Sequence, residues 1–127
     1  MHEDNEEKNL DRPSPRELEV LGLPADATDA PLSVEQLEKL ARHYAAWLYT
    51  LGFTYEAYGQ SASRERHEAA MRLSEIGRLI GVDRLKVVTA DIDRERLETW
   101  DEDVAKARAA YAYLLKHGKW PPSDWMP

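Results

Sequence analysis

The sequence predicts an all-α protein, an antiparallel three-helix bundle with a short N-terminal capping helix and extended termini. Three observations carry that expectation. Apolar residues recur in alternating steps of three and four along three separate stretches, the seam rhythm of helices that pack lengthwise on one another. Helix-start and helix-stop signals bracket those stretches. A chain of 127 residues also fits one domain and can bury about two-thirds of the surface its unfolded form exposes, so no covalent staple is required.

Residues 1–12 are charged, poor in apolar groups and carry a net charge of −3. They cannot repay the entropy of ordering and are expected to be mobile. The bundle domain is expected over residues 13–118. It opens on Ser14-Pro15-Arg16-Glu17, where serine caps, proline takes the first helical position and glutamate returns the capping bond. The short helix that follows ends at Gly22 and Pro24, and its Leu18, Leu21 and Leu23 are expected to form a lid over one end of the bundle. Ala25 to Pro31 is a loop by composition.

The central element starts at about Val34. Ser33 with Gln36 makes a capping box, and Leu32 with Leu37 makes the hydrophobic staple around it. Its seam runs Val34, Leu37, Ala41, Tyr44, Leu48, Leu51, Tyr55 and Tyr58, and burial of that whole seam is expected. Continued to Tyr58, the helix is about 25 residues and roughly 38 Å long at 1.5 Å per residue. Gly52 is its weak point, at up to about 1 kcal/mol relative to alanine, although the unbroken seam argues for continuation. Gly59, Gln60 and Ser61 punctuate the chain, and a second helix is expected from about Ser63 to Ile80, with Ala62, Ala69, Leu73, Ile76 and Ile80 on one face and Gly81 as the stop. Val87, Val88 and Ile92 look strand-like, but with no second strand to pair with they are expected to form a connector tucked under the bundle. The last helix has the seam Leu97, Trp100, Val104, Ala107, Tyr111 and Leu114, a cap at Asp91 or Asp93, and Lys116, His117 and Gly118 at its end. The tail, residues 119–127, holds two tryptophans, a methionine and three prolines, a composition that forbids helix but not docking.

Composition narrows the function classes. Cysteine is absent, which removes disulfides and thiolate metal sites and makes a reducing compartment the simplest setting. The acidic start is unlike a secretory signal, and the longest apolar run, Tyr44 to Phe53, is too short to span a bilayer. A cytoplasmic protein without a membrane partner is therefore expected. The net charge of −7 discourages binding to phosphate backbones. With the chain divided at its element boundaries, only residues 61–86 are net basic, at +2.

Within that basic stretch, Leu73 to Ala90 resembles a helix-turn-helix unit. Gly77 stands where two helices would cross, Gly81 at the tight turn, and Ile76, Ile80, Val82 and Val87 at the apolar positions. The resemblance implies that Arg84, Lys86 and Thr89 would face a major groove, with Asp91 and Asp93 turned toward phosphate. Ser14 to Leu21 looks like the opening of the DNA-binding domain of LuxR-type regulators, but Pro24 to Pro31 interrupts the chain where that family places its next helix. Glu65-x-x-Glu68 with Glu98-x-x-Asp101 is reminiscent of the paired acidic motifs with which MazG-type nucleotide pyrophosphohydrolases hold magnesium.

No Glu-x-x-His or His-x-x-x-His spacing makes a metal face of His43 or His67, and neither a Gly-rich phosphate loop nor a nucleophile elbow occurs. The sequence offers no catalytic residue, no cofactor site and no metal site. Its leading expectation is a small acidic helical module that binds a protein partner or itself, as adaptor, regulator or inhibitor. The residues expected to carry that contact are Trp120, Trp125, Met126, Tyr55 and Tyr58, because large aromatic and thioether side chains anchor interfaces. The alternative is a DNA-binding regulator acting through residues 73–90, and a magnesium-dependent nucleotide hydrolase stands third.

Overall fold

A computed structural model describes residues 10–125, apart from the side chains of residues 95–97. Over that range the protein is all-helical, with four helices and no strand: α1 (Pro15–Leu21), α2 (Val34–Tyr58), α3 (Ser63–Ile80) and α4 (Val82–His117). The expected arm at residues 1–9, the side chain of Leu97 and Met126 all lie outside the described residues.

Local chemistry explains the boundaries. Ser14 and Ser33 each accept a backbone N–H three residues on, and Glu17 and Gln36 return the bond, so both predicted capping boxes are formed. Gly22, Gly59 and Gly118 close their helices at φ of 69°, 69° and 76°, left-handed values that only glycine adopts without strain. α2 runs through Gly52 without a break. The ring of Trp100 lies over this position, close enough that a Cβ there would stand 3.8 Å from Cη2.

The expected connector over residues 82–92 is corrected. Gly81, at φ 98°, turns the chain, and α4 begins at once and continues for 36 residues, about 54 Å at 1.5 Å per residue. The β-branched residues Val88, Thr89 and Ile92 are tolerated because, with Leu85, they recur at i, i+3, i+4 and i+7 and form a packed stripe in which Thr89 and Ile92 are buried. Tertiary burial outweighs their weak helix preference. The Thr89 hydroxyl is satisfied by donating to the Leu85 carbonyl at 3.0 Å.

α3 and α4 each pack extensively on α2 and much less on one another. Where they cross, a Cβ on Gly77 would come within 2.8 Å of Leu85 Cδ2, so the absence of a side chain sets the closeness of approach. Ion pairs join α2 to α4 in matching order: Glu38 with Arg84, Arg42 with Asp91 and Glu56 with Arg108. α4 therefore runs in the same direction as α2.

The core is concentrated in one half of the molecule, where Leu32, Leu37, Leu40, Ala41, Tyr44, Ala69 and Ile76 pack together. The expectation of a seam buried from end to end is corrected accordingly. Leu48, Leu51 and Tyr58 are half-buried, while Val34 and Tyr55 are exposed. α3 explains the difference, because its first buried residue is Ala69 and the turns before it, Ser63 to Glu68, are polar and exposed. They give the second half of α2 no apolar cover. α1 sits beside the middle of α2 rather than over an end, with the Arg16 guanidinium 4.0 Å above the Trp47 ring.

Candidate functional site

The most buried polar chemistry belongs to Glu17, which is 2% exposed. Its Oε2 accepts from the Tyr44 hydroxyl at 2.7 Å and from Arg72 Nε at 2.8 Å, and its Oε1 accepts from Arg72 Nη2 at 3.2 Å and from the Ser14 N–H at 3.0 Å. Arg72 also donates to the carbonyls of Leu10 and Arg12 and to Glu75. Leu32 N–H donates to the Asp11 carbonyl, so Leu10 to Arg12, which composition assigns to the mobile arm, are held against the bundle. Burial works to raise the Glu17 carboxyl, but the bonds from Arg72, Ser14 and Tyr44 outweigh it and lower the group below its ordinary value. Burial and the neighbouring carboxylate together push the Tyr44 hydroxyl up. All the acceptor capacity of this carboxylate is committed internally, which marks it as an anchor that fastens α1 to α2 and α3. His43, beside it, lies at the core edge against Tyr44 and Trp47, and burial and the Arg16 charge hold its imidazole below the ordinary value.

The expected DNA-facing residues do not converge. Arg84 grips Glu38 through Nε and Nη2 at 2.8 and 3.2 Å, a bond that lowers the Glu38 carboxyl and raises the Arg84 guanidinium. Thr89 is 8% exposed, and Lys86 lies about 160° around α4 from Arg84 at 100° per residue. The helix–glycine–helix geometry at Gly77 and Gly81 is present, but its turn is one residue long, shorter than the usual three or four. Of the acidic motifs, Glu65, Glu68, Glu98 and Asp101 are all exposed, and Glu68 pairs with Arg64. Among the described residues no three acids or histidines gather into a group that could hold a metal ion, and no helix is long and apolar enough to cross a membrane.

Of the residues expected to bind a partner, the structure brings Tyr58 and Trp120 together, away from the aliphatic core. Six rings form a continuous chain. Trp100 stands edge-on to Tyr49 and Phe53 at 4.9 and 5.7 Å, Phe53 to Tyr58 at 6.4 Å, Tyr58 to Tyr111 at 5.3 Å and to Trp120 at 6.3 Å. These are favoured edge-to-face arrangements, yet none of the six rings is fully buried, and Trp120 is 54% exposed. A groove of about 390 Å³ opens among Thr54, Tyr58, Gln60, Tyr111, Leu114 and Trp120.

The tail reaches this face because Pro121 forces Trp120 into extended backbone. A turn closed by Trp125 N–H to the Pro122 carbonyl at 2.9 Å then brings Trp125 against Tyr113 at 5.3 Å. As far as Trp125 the tail therefore docks on its own bundle. Tyr55, 51% exposed, takes no part in the ring chain. Tyr111, Tyr113, Phe53 and Trp100 belong to the aromatic end without having been singled out as binding residues. Tyr111 and Trp100 carry a sequence signal, since both lie on the α4 seam.

No protein-family model, no curated protein and no solved structure matches this chain, so its function is argued from the site alone.

Proposed function

We propose that this chain is a protein-binding module, an adaptor, regulator or inhibitor that acts by contact rather than catalysis. In this reading the scaffold is an antiparallel three-helix bundle of α2, α3 and α4, steadied at its flank by α1, and the aromatic end is the working surface. The observation that carries the proposal is the chain of six rings from Tyr49 to Trp120, none fully buried, bordering an open groove. Aromatic side chains supply large contact area at low entropic cost and dominate the energetics of many interfaces. A chain of this size could cover such rings if they served packing alone, as the aliphatic end covers Tyr44.

The test places a photo-crosslinking side chain at residue 54, in the groove, and separately at residue 71, an exposed apolar position on α3, in extracts of the cells that make the protein. A discrete partner captured from position 54, lost on Tyr58→Ala with Tyr111→Ala and absent from position 71, supports the reading. Equal capture at both positions, or none at position 54, removes it.

A further inference from the structure

We propose that the outer face of the second half of α4 pairs with the same face of a second copy of this chain, the two helices running antiparallel. The inference stands apart from the aromatic groove and uses none of its residues. At 100° per residue, Glu98, Asp101, Ala105, Ala109, Ala112 and Lys116 fall within an arc of about 80°. The seam that packs on α2, from Trp100 to Leu114, lies on the opposite side of the helix. Ala109 is half-buried and the other five are exposed, so neither the bundle nor the docked tail covers this face. α4 also outruns its support. Arg108 pairs with Glu56 and Tyr111 meets Tyr58, where α2 ends, and residues 112–117 continue for about 9 Å with no α2 beside them. Leu115, at the border of the face, is 71% exposed.

Charge names the occupant. The face is acidic at its start and basic at its end, and its middle is alanine, whereas a solvated face carries charge along its length. Among the described residues Glu98, Asp101 and Lys116 have no ion partner. Asp101 and Lys116 stand about 22 Å apart along their own helix, so they cannot neutralise one another within one copy. A two-fold axis midway between Ala105 and Ala112 removes that separation. Residues equally far from the midpoint on opposite sides then face each other across the axis, Ala105 against Ala112 and Asp101 against Lys116, each contact made twice. Parallel pairing would instead set like charge on like. The alanines let the helix axes approach to about 8 Å. Arg108 and Glu102, at the borders, are already paired with Glu56 and Lys106 and take no part in the argument.

The experiment is sedimentation equilibrium of the full chain at low salt, where a reversible dimer is expected. Asp101→Lys and Lys116→Glu should each weaken it about tenfold, because each sets two like-charge contacts across the axis. The variant carrying both changes should recover association to within about threefold of wild type, and an equimolar mixture of the two single variants should form the mixed dimer. Register is read separately. The chain has no cysteine, so Ala105→Cys mixed with Ala112→Cys should give a disulfide-linked dimer under mild oxidation, while neither variant alone does, its two thiols being seven residues or about 10 Å apart along the axis. Helical circular dichroism checks that the charge variants are folded, and the cysteine pair keeps the test intact for any that are not.

A monomer at millimolar concentration overturns the inference, as do a dimer indifferent to both charge reversals, a double variant no better than the singles, or self-crosslinking of either cysteine variant. A dimer that Trp120→Ala abolishes would place the contact at the aromatic end and sink the proposal equally.

Discussion

Arg72 and Glu17, 55 residues apart in sequence, meet at 2.8 Å in a site almost closed to water. The pair holds α1 and the segment from Leu10 to Arg12 onto the bundle, because the guanidinium that neutralises the carboxylate also donates to two carbonyls of that segment. Removing one member of a buried pair strands the other charge. Arg72→Ala is expected to cost about 3–5 kcal/mol of unfolding free energy, read from urea denaturation at pH 7. A loss below about 1 kcal/mol would mean that water reaches Glu17.

The same carboxylate sets a pH dependence. Folding lowers Glu17 below its ordinary value of 4.5, so between the two values the native state binds fewer protons than the unfolded chain. Its contribution is therefore held in full above the ordinary value and lost as pH falls through the lower, folded one. Urea midpoints measured from pH 7 down to pH 3 should drop at the acid end in the wild type and drop less in Glu17→Gln, which has no proton to take up. Parallel profiles would show that other carboxylates govern the acid limb.

Gly52 sits in mid-helix with Trp100 above it at a distance that leaves an added methyl in ordinary van der Waals contact. Gly52→Ala should therefore keep the fold and raise stability by up to about 1 kcal/mol, through helix preference and a less flexible unfolded chain. A decrease would mean that the Trp100 ring needs a closer approach to α2 than a methyl allows.

Much of this architecture was legible in sequence because it is locally encoded. The capping boxes at Ser14 and Ser33, the stop at Gly59 and the seam from Trp100 to Leu114 depend on residues within a few positions of one another. The errors arose where distant packing decides. Val87, Val88 and Ile92 look strand-like in isolation, and only contact with the rest of the bundle sets Val88 and Ile92 on a packed helical stripe while Val87 stays exposed. Tyr55 fits the α2 seam, but its exposure depends on how far α3 stays polar. Glu17 was readable as a capping residue; nothing local says that it finds Arg72, 55 residues away. At the site, the tail tryptophans stood out by composition, while their seats on Tyr111 and Tyr113 required the fold.

The uneven core has a direct consequence for stability. Leu40, 0% exposed and in the middle of the aliphatic cluster, should cost about 2–5 kcal/mol when cut to alanine, the range for large-to-small changes in a packed interior. Tyr55→Ala, on the same helix, should stay within about 0.5 kcal/mol, as surface changes do. Comparable losses at both positions in chemical denaturation would show that the aromatic half of α2 is as closed as the aliphatic half.

The two tail tryptophans should separate stability from binding. Trp120 borders the groove beside Tyr111, whereas Trp125 rests on Tyr113, and two residues along a helix are about 200° apart around its axis. The tail thus bends around the end of α4 and seats its rings on different sides. Each aromatic pair contributes about 0.5–1.5 kcal/mol beyond area burial, so deleting residues 119–127 should lower stability by about 1–3 kcal/mol while the helical circular dichroism persists, since the aliphatic cluster from Leu32 to Ile76 involves no tail residue. Trp125→Ala should cause part of that loss and leave partner capture at position 54 intact. Trp120→Ala should cost no more stability than Trp125→Ala, because its ring is already half in water, and yet abolish capture. If both substitutions spare capture, the tail only closes the bundle; if both abolish it together with the fold, the rings belong to the core and the groove is a packing defect.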